Sequence, residues 1–279
     1  MLNDLVDNVY VLNLDDEFFK YEILKRKLDA KNIAHERFPA TPEIDTVDKV
    51  QLHYKLGQII EDYSGDENFR EVLMSQAFKN LDFNLGANRN TGARGCVESH
   101  KRIFKDAIEK NYSKVILFQD DIYFHNDFEK LLGQVKTKID SSDIFFLGAS
   151  EWSKSKKDTC WADPNWNYYL KNCYRPTDRT VGFFAVCLSK KVFEPILKLL
   201  NYNFFAADQC LAMLASSKFR EDSWVAYPNL IVPDATYSRT WDKPYKNKVI
   251  HKDKSNKSDH YRRMGWNLQY YDLTEQYYV

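Results

Sequence analysis

The chain has 279 residues, 44% of them hydrophobic and 15% aromatic, enough to bury one large α/β core or two small ones. Forty basic residues balance forty acidic ones, so no overall field favours a nucleic-acid backbone or an anionic membrane, and nucleic acid is not an expected partner. Asp4, Asp7, Asp15 and Asp16 interrupt the first stretch and no later run is long and apolar enough to span a bilayer, so the expectation is a cytoplasmic protein without an integral membrane segment.

Val9 to Leu14 (VYVLNL) is a β-rich apolar run, and after the turn at Asp15-Asp16 the apolar residues of Phe18 to Ala30 recur at helical spacing. Ile33 to Phe38 reads as a second short strand before the breaker PATPEID, so the chain opens β-α-β and predicts a parallel sheet. Val47 to Leu81 is helical apart from the turn YSGDEN, and the polar stretch NLGANRNTGARG then predicts a loop. Cys96 to Lys110 predicts a helix, and Lys114 to Phe118 (KVILF) a buried parallel strand. Asn126 to Glu129 has the form of a capping box opening a helix to about Ile139, followed by a buried strand at Asp143 to Leu147. Beyond a Trp- and Lys-rich connection (Glu151 to Arg179) come a strand at Val181 to Leu188 and helices at Lys191 to Leu200 and Ala207 to Ser216. From Pro228 onward the chain is polar, aromatic and irregular; no repeat or composition break divides it, so one domain is expected. Five scattered cysteines without CxxC or zinc spacing predict reduced core thiols, Cys160 and Cys173 being the one pair close in sequence.

Gln119-Asp120-Asp121 directly follows KVILF, and open α/β sheets place ligands at the carboxyl ends of their strands. Two adjacent carboxylates there either bind a hard divalent cation, Mn²⁺ or Mg²⁺, whose other sites take diphosphate oxygens and water, or form a solvated turn in which Asp121 is a local cap.

RGCVESHKRIFKDAI followed by KVILFQDDIYFHNDFEKLL resembles the family 25 glycosyltransferases, which include bacterial lipooligosaccharide and animal collagen galactosyltransferases. Gly95-Cys96, Ser99-His100, Asp120-Asp121 and Phe124 fall in matching places, and the opening VYVLNL, Glu36 to Ala40, DIFFLG, TVGFFAVCLS, ADQCLA and YPNLIVP extend the likeness to about Ser238. The resemblance implies a GT-A-like α/β fold with a central, mostly parallel sheet flanked by helices. Residues 1–150 would bind a nucleotide sugar and 151–279 would shape the acceptor pocket. It further implies inverting, Mn²⁺- or Mg²⁺-dependent transfer of galactose or glucose from a UDP-sugar to a glycan or hydroxylated acceptor. Gln119 departs from the family, which has an acid in that place.

Asp120 and Asp121 are the expected metal ligands, with His251 a third from the C-terminal segment; Asp120 also belongs to the donor site. Inversion needs a base near the acceptor hydroxyl, which makes Asp208 the candidate and Glu151 its substitute, although Asp208 also suits the first turn of a helix for electrostatic reasons. Asn13, Arg37, Gly95 and Ser99 are candidates to contact the nucleotide, each with a structural alternative, such as a tight junction for Gly95 and a surface ion pair for Arg37. His100, near an apolar helical face, reads as a core histidine. The aromatics Trp152, Trp161, Trp166, Tyr168 and Tyr169 either stack on acceptor sugars or anchor their connection. A metal-dependent hydrolase and a non-catalytic sugar-binding relative are the rival functions.

Overall fold

The computed structural model describes residues 2–45, 49–83, 90–151, 172–234, 264 and 266–273. Strand β1 (Asn8–Asn13) is apolar on both faces because both are covered. Tyr10 and Leu12 enter one hydrophobic cluster and Val9 and Val11 another, as the two-residue period of a strand requires. The same split divides Val115 and Leu117 from Ile116 and Phe118 in β3 (Lys114–Gln119), and Val186 and Leu188 from Ala185 and Cys187 in β9 (Ala185–Ser189). Burying each of these branched or aromatic side chains contributes about 1.5–3 kcal/mol before entropy is counted.

The main sheet has seven strands in the order β2-β1-β3-β9-β5-β10-β7, with β2 at Glu36–Pro39, β5 at Ile144–Phe146, β7 at Cys173–Tyr174 and β10 at Ser223–Ala226. β2, β1 and β3 are mutually parallel, as are β5 and β10; β9 runs antiparallel between β3 and β5, and β7 is antiparallel to β10. This is the mostly parallel α/β sheet expected of a GT-A-like fold. Two strand pairs lie outside it: β4 (Ile122–Phe124) with β11 (Ile231–Pro233), and β6 (Ser150–Glu151) with β8 (Thr180–Val181).

Helices cover both faces. Helices α2 (Lys49–Asp62), α3 (Glu67–Phe83), α4 (Thr91–Glu109), α6 (Lys190–Asn201) and α7 (Ala207–Ser216) supply one cluster through residues such as Ile59, Leu73, Phe104, Ile196 and Leu211. Helices α1 (Phe18–Ala30) and α5 (Phe128–Ser141) supply the other through Leu24, Leu28, Val135 and Ile139, joined by Met264, Trp266 and Tyr271.

Three local expectations change. Helix α4 starts inside the polar stretch read as a loop, because the side chain of Asn90 accepts the Ala93 N–H at 2.8 Å and caps the first turn. At α5 the N-cap Asp127 makes no side-chain cap; instead the His125 ring accepts the Asp127 N–H at 3.0 Å and the His125 carbonyl accepts the Phe128 N–H at 2.9 Å. The single strand read at Val181 to Leu188 is two, β8 and β9, in different sheets. Cys96, Cys173, Cys187 and Cys210 are free thiols. Cys160, the connection aromatics Trp152, Trp161, Trp166, Tyr168 and Tyr169, and His251 lie outside the described residues. No helix among the described residues is long and apolar enough to cross a membrane.

The loop after β2 is held against α4 at a glycine. A Cβ on Gly95 would stand 2.1 Å from the carbonyl oxygen of Pro42. Ser99, one turn on, accepts the Thr41 N–H and donates to the Gly95 carbonyl, both at 2.8 Å. Because backbone on both sides must give, Gly95→Ala is expected to lower stability by about 1–3 kcal/mol, measured as a reduced urea midpoint at unchanged slope; an unshifted midpoint would refute the tight contact.

Candidate functional site

The parallel pairing of β1 with β3 sets Leu12 opposite Gln119, so the two strands end level with each other at their carboxyl ends. One residue further, Asn13 and Asp120 meet: Asn13 Nδ2 donates to Asp120 Oδ2 at 2.6 Å and to the Glu17 carbonyl at 3.0 Å. Asn13 Oδ1 accepts from Arg37 Nε at 2.8 Å, and the Arg37 guanidinium also binds Asp15 at 2.5 Å while lying 4.9 Å from the Phe18 ring centre. Asn13 is buried, and these bonds aim its amide at Asp120. After Asp121 the chain turns away into β4, and the Asp234 N–H, following β11, closes on the Asp121 carbonyl at 2.6 Å.

A cavity of about 370 Å³ opens at this strand end. Asn13, Gln119, Asp120 and Asp121 form its floor, Glu17 and Lys20 of the α1 region one side, and Thr41, Pro42, Glu43, Gly92, Cys96 and Ser99 the other. Lys20 is buried, its ammonium against the Glu17 carboxylate at 2.5 Å. It occupies a core-facing position of α1, in line with the buried Leu24, Lys27 and Leu28. The cavity wall therefore carries four carboxylates, Glu17, Glu43, Asp120 and Asp121, against one ammonium.

Burial disfavours charge on the Asp120 carboxyl and pushes its pKa up to about 6, against the pull of Lys20 and the Asn13 amide. Asp121 is raised well above the ordinary carboxylate range, first by burial and then by the charge of Asp120, with Asp234 adding to it and Lys20 opposing it. Two carboxylates that ionise this reluctantly beside one another suit a divalent cation, which would stabilise both charges at once.

The structure brings together Asn13, Ser99, Asp120 and Asp121 around this cavity, with Arg37 one bond behind Asn13. Gly95 and Ser99 brace the cavity wall, the Ser99 hydroxyl accepting from Thr41 N–H and donating to the Gly95 carbonyl. Asp208 and Glu151 are not among the lining residues. Asp208 sits in the first turn of α7, where its carboxylate accepts the Gln209 N–H at 2.9 Å. Glu151 is buried beneath hydroxyls, accepting from Thr180 at 2.6 Å and Thr177 at 3.2 Å. Among the described residues no group of three or more His, Cys, Asp or Glu side chains is arranged to hold a metal ion. His100 is a core histidine: Nδ1 faces the Cys96 carbonyl at 2.7 Å, and burial lowers its pKa to about 4.

Sequence reasoning missed Glu17, Lys20 and Asp234. The signal for Lys20 was a lysine on the apolar stripe of α1, where burial calls for an anionic neighbour. Asp234 follows directly on the block YPNLIVP; it is buried and accepts a 2.8 Å hydrogen bond from the Tyr123 hydroxyl.

Residues 6–209 match the family model described as "Glycosyltransferase family 25 (LPS biosynthesis protein)". Over 99 residues the chain is 27% identical to a Homo sapiens protein named "Inactive glycosyltransferase 25 family member 3", a stretch covering 31% of this chain and 17% of that one. Over 70 residues it is 31% identical to the Rattus norvegicus "Probable inactive glycosyltransferase 25 family member 3", covering 24% of this chain and 12% of that one. The chain thus spans only a small part of the length of the relatives it matches.

The raised Asp120 pKa has a definite sign in stability. Between its ordinary value of 3.8 and about 6 the folded state binds more protons than the unfolded chain, so stability without divalent cation falls as pH rises through that window. Asp120→Asn, which keeps an acceptor for Asn13, is expected to be the more stable protein by about 1–2 kcal/mol at pH 7.5 and to lose most of that advantage by pH 4.5. Urea unfolding in chelator across this range measures it, and parallel pH profiles for the two proteins would contradict the assignment.

Proposed function

The chain belongs to glycosyltransferase family 25, and on that premise we propose that it moves a hexose, galactose or glucose, from a UDP-sugar to a hydroxyl of a glycan or hydroxylated acceptor, with a divalent cation and with inversion. The observation that carries this reading is the half-buried Asp120-Asp121 pair at the carboxyl ends of β1 and β3, on the floor of a cavity large enough for part of a nucleotide sugar.

The cavity's excess of carboxylates over ammonium fits a cation better than a bare diphosphate, which four acidic side chains would repel. Asp121 and Asp120 would hold Mn²⁺ or Mg²⁺, which supplies neutralisation of the charge that builds on the leaving diphosphate. Asn13, fixed by Arg37, keeps the Asp120 carboxylate turned into the cavity. Lys20, whose charge acts on both aspartates, limits their mutual repulsion before ligands arrive. Asp208, half-buried and at the start of a helix, is the base in this reading: it takes the proton of the acceptor hydroxyl as that oxygen bonds to the anomeric carbon and the bond to the diphosphate breaks. Glu151, enclosed by two threonine hydroxyls, is the weaker choice.

A second reading, a nucleotide-sugar binder without turnover, is favoured by Gln119, which lines the cavity where the family resemblance gives an acid, and by the names of the two animal relatives. Thermal melts with UDP-, GDP- and CMP-sugars in Mn²⁺ identify the donor, since a ligand of the folded state raises the melting temperature. With that donor, Asp121→Ala is expected to remain folded and to lose transfer and donor hydrolysis by about 100-fold or more. Full activity in the variant overturns the site. Donor-dependent stabilisation of the natural chain with no turnover over an acceptor panel selects the second reading.

A further inference from the structure

Helix α4 presents two faces of opposite character. Gly92, Cys96 and Ser99 line the acidic cavity, while Arg94, Glu98 and Lys101 follow one another at i, i+4 and i+7 on a stripe about half a turn away. Lys101 is buried, and its ammonium donates to Glu98 at 3.0 Å and to Asn203 Oδ1 at 2.6 Å. Glu98 is thereby turned toward Lys101, and Arg94 is left with Nε and one terminal nitrogen buried and without an acceptor. Lys55 of α2, half-buried, lies within range of their charge: burial, then the charges of Arg94 and Lys101, hold its pKa below the usual lysine range. Burial likewise lowers Arg94 and Lys101.

A guanidinium cannot escape this situation by losing its proton, and buried N–H donors without acceptors are costly. Among the described residues these three cations share one carboxylate, Glu98, which leaves positive charge in excess in a half-buried place where screening is weak. A tetrahedral oxyanion meets both demands, bringing up to two negative charges and several acceptor oxygens that donors approaching from two helices can share.

We propose that Arg94, Lys101 and Lys55 form an anion site, across α4 from the acidic cavity, that takes a phosphate group. Free inorganic phosphate and the phosphate monoester of a sugar offer this chemistry alike. The site is independent of the donor reading, since none of its residues lines the cavity.

Thermal melts of the whole chain in phosphate and in chloride at equal pH and ionic strength test it. About 10 mM phosphate is expected to raise the melting temperature by about 3 °C, and Asp121→Asn is expected to keep that rise while Arg94→Met loses it. In chloride Arg94→Met is expected to be at least as stable as the natural chain, because its unsatisfied donors are gone. Should that variant fail to fold, Arg94 is held by the protein itself and the proposal falls; Lys55→Met, expected to weaken the phosphate response, gives the independent check. No response to phosphate in the natural chain, or an undiminished response in both variants, also overturns it. A larger shift with glucose 6-phosphate than with inorganic phosphate assigns the site to a phosphorylated sugar, and equal shifts assign it to the free ion; glucose alone is expected to do nothing.

Discussion

Burying negative charge at the end of the β1–β3 pair is the constraint around which this protein is organised. Two parallel strands ending level put Asn13 against Asp120, and the antiparallel return of β11 ties down Asp121 through the N–H of Asp234. The backbone therefore decides where the carboxylates stand, and neighbouring side chains decide how much ionisation costs. The Asn13 amide and the Lys20 ammonium favour charge, while burial and the mutual repulsion of the aspartates disfavour it and prevail. A floor of this kind calls for a cation or a proton to offset its charge, and the proposed metal-assisted transfer rests on that requirement.

The opposite wall follows a different logic. Steric fit holds it: Gly95 allows the Pro42 carbonyl to approach α4, and Ser99 bonds both the loop and its own helix. Arg102 adds bonds from its guanidinium to the Pro39 carbonyl and the Thr41 hydroxyl, each at 3.1 Å. The Gly-Cys and Ser-His of the family pattern thus build a boundary whose cavity side is lined by Gly92, Cys96, Ser99 and the Thr41–Glu43 loop.

Much of the frame was legible because period and burial agree. KVILF is apolar on both faces, and so it lies in the sheet interior with neighbours on each side. Helix α7 runs from Ala207 to Ser216, the same limits its spacing predicts. Misread elements are those whose local chemistry is replaced by a partner distant in the chain or unusual in kind: a histidine ring in place of an aspartate cap at α5, and β8 drawn to β6 rather than continuing into β9. At the site, adjacency in sequence revealed the Asp pair and the strand it ends. Lys20 and Asp234 reach it only through the packing of α1 and the register of β11, which depend on contacts across about 100 residues or more. Glu151, conspicuous just past a predicted strand, is taken up by Thr177 and Thr180.

The antiparallel strand at the centre of the sheet has a consequence for how the chain comes to be folded. Among the described residues β9 is the link between β3 and β5, so β2-β1-β3 and β5 stay separate until residues 185–189 have been made. On a ribosome, the acidic strand end would exist for more than 60 residues of synthesis with one edge of β3 unpaired, an exposure time of several seconds at ordinary elongation rates of roughly 5–20 residues per second. Insertion of β9 is then the event that joins β3 to β5, with β10 left to complete the sheet, and lesions in AVCLS would be expected to betray themselves as poor yield from cells before any defect appears in the purified, folded molecule.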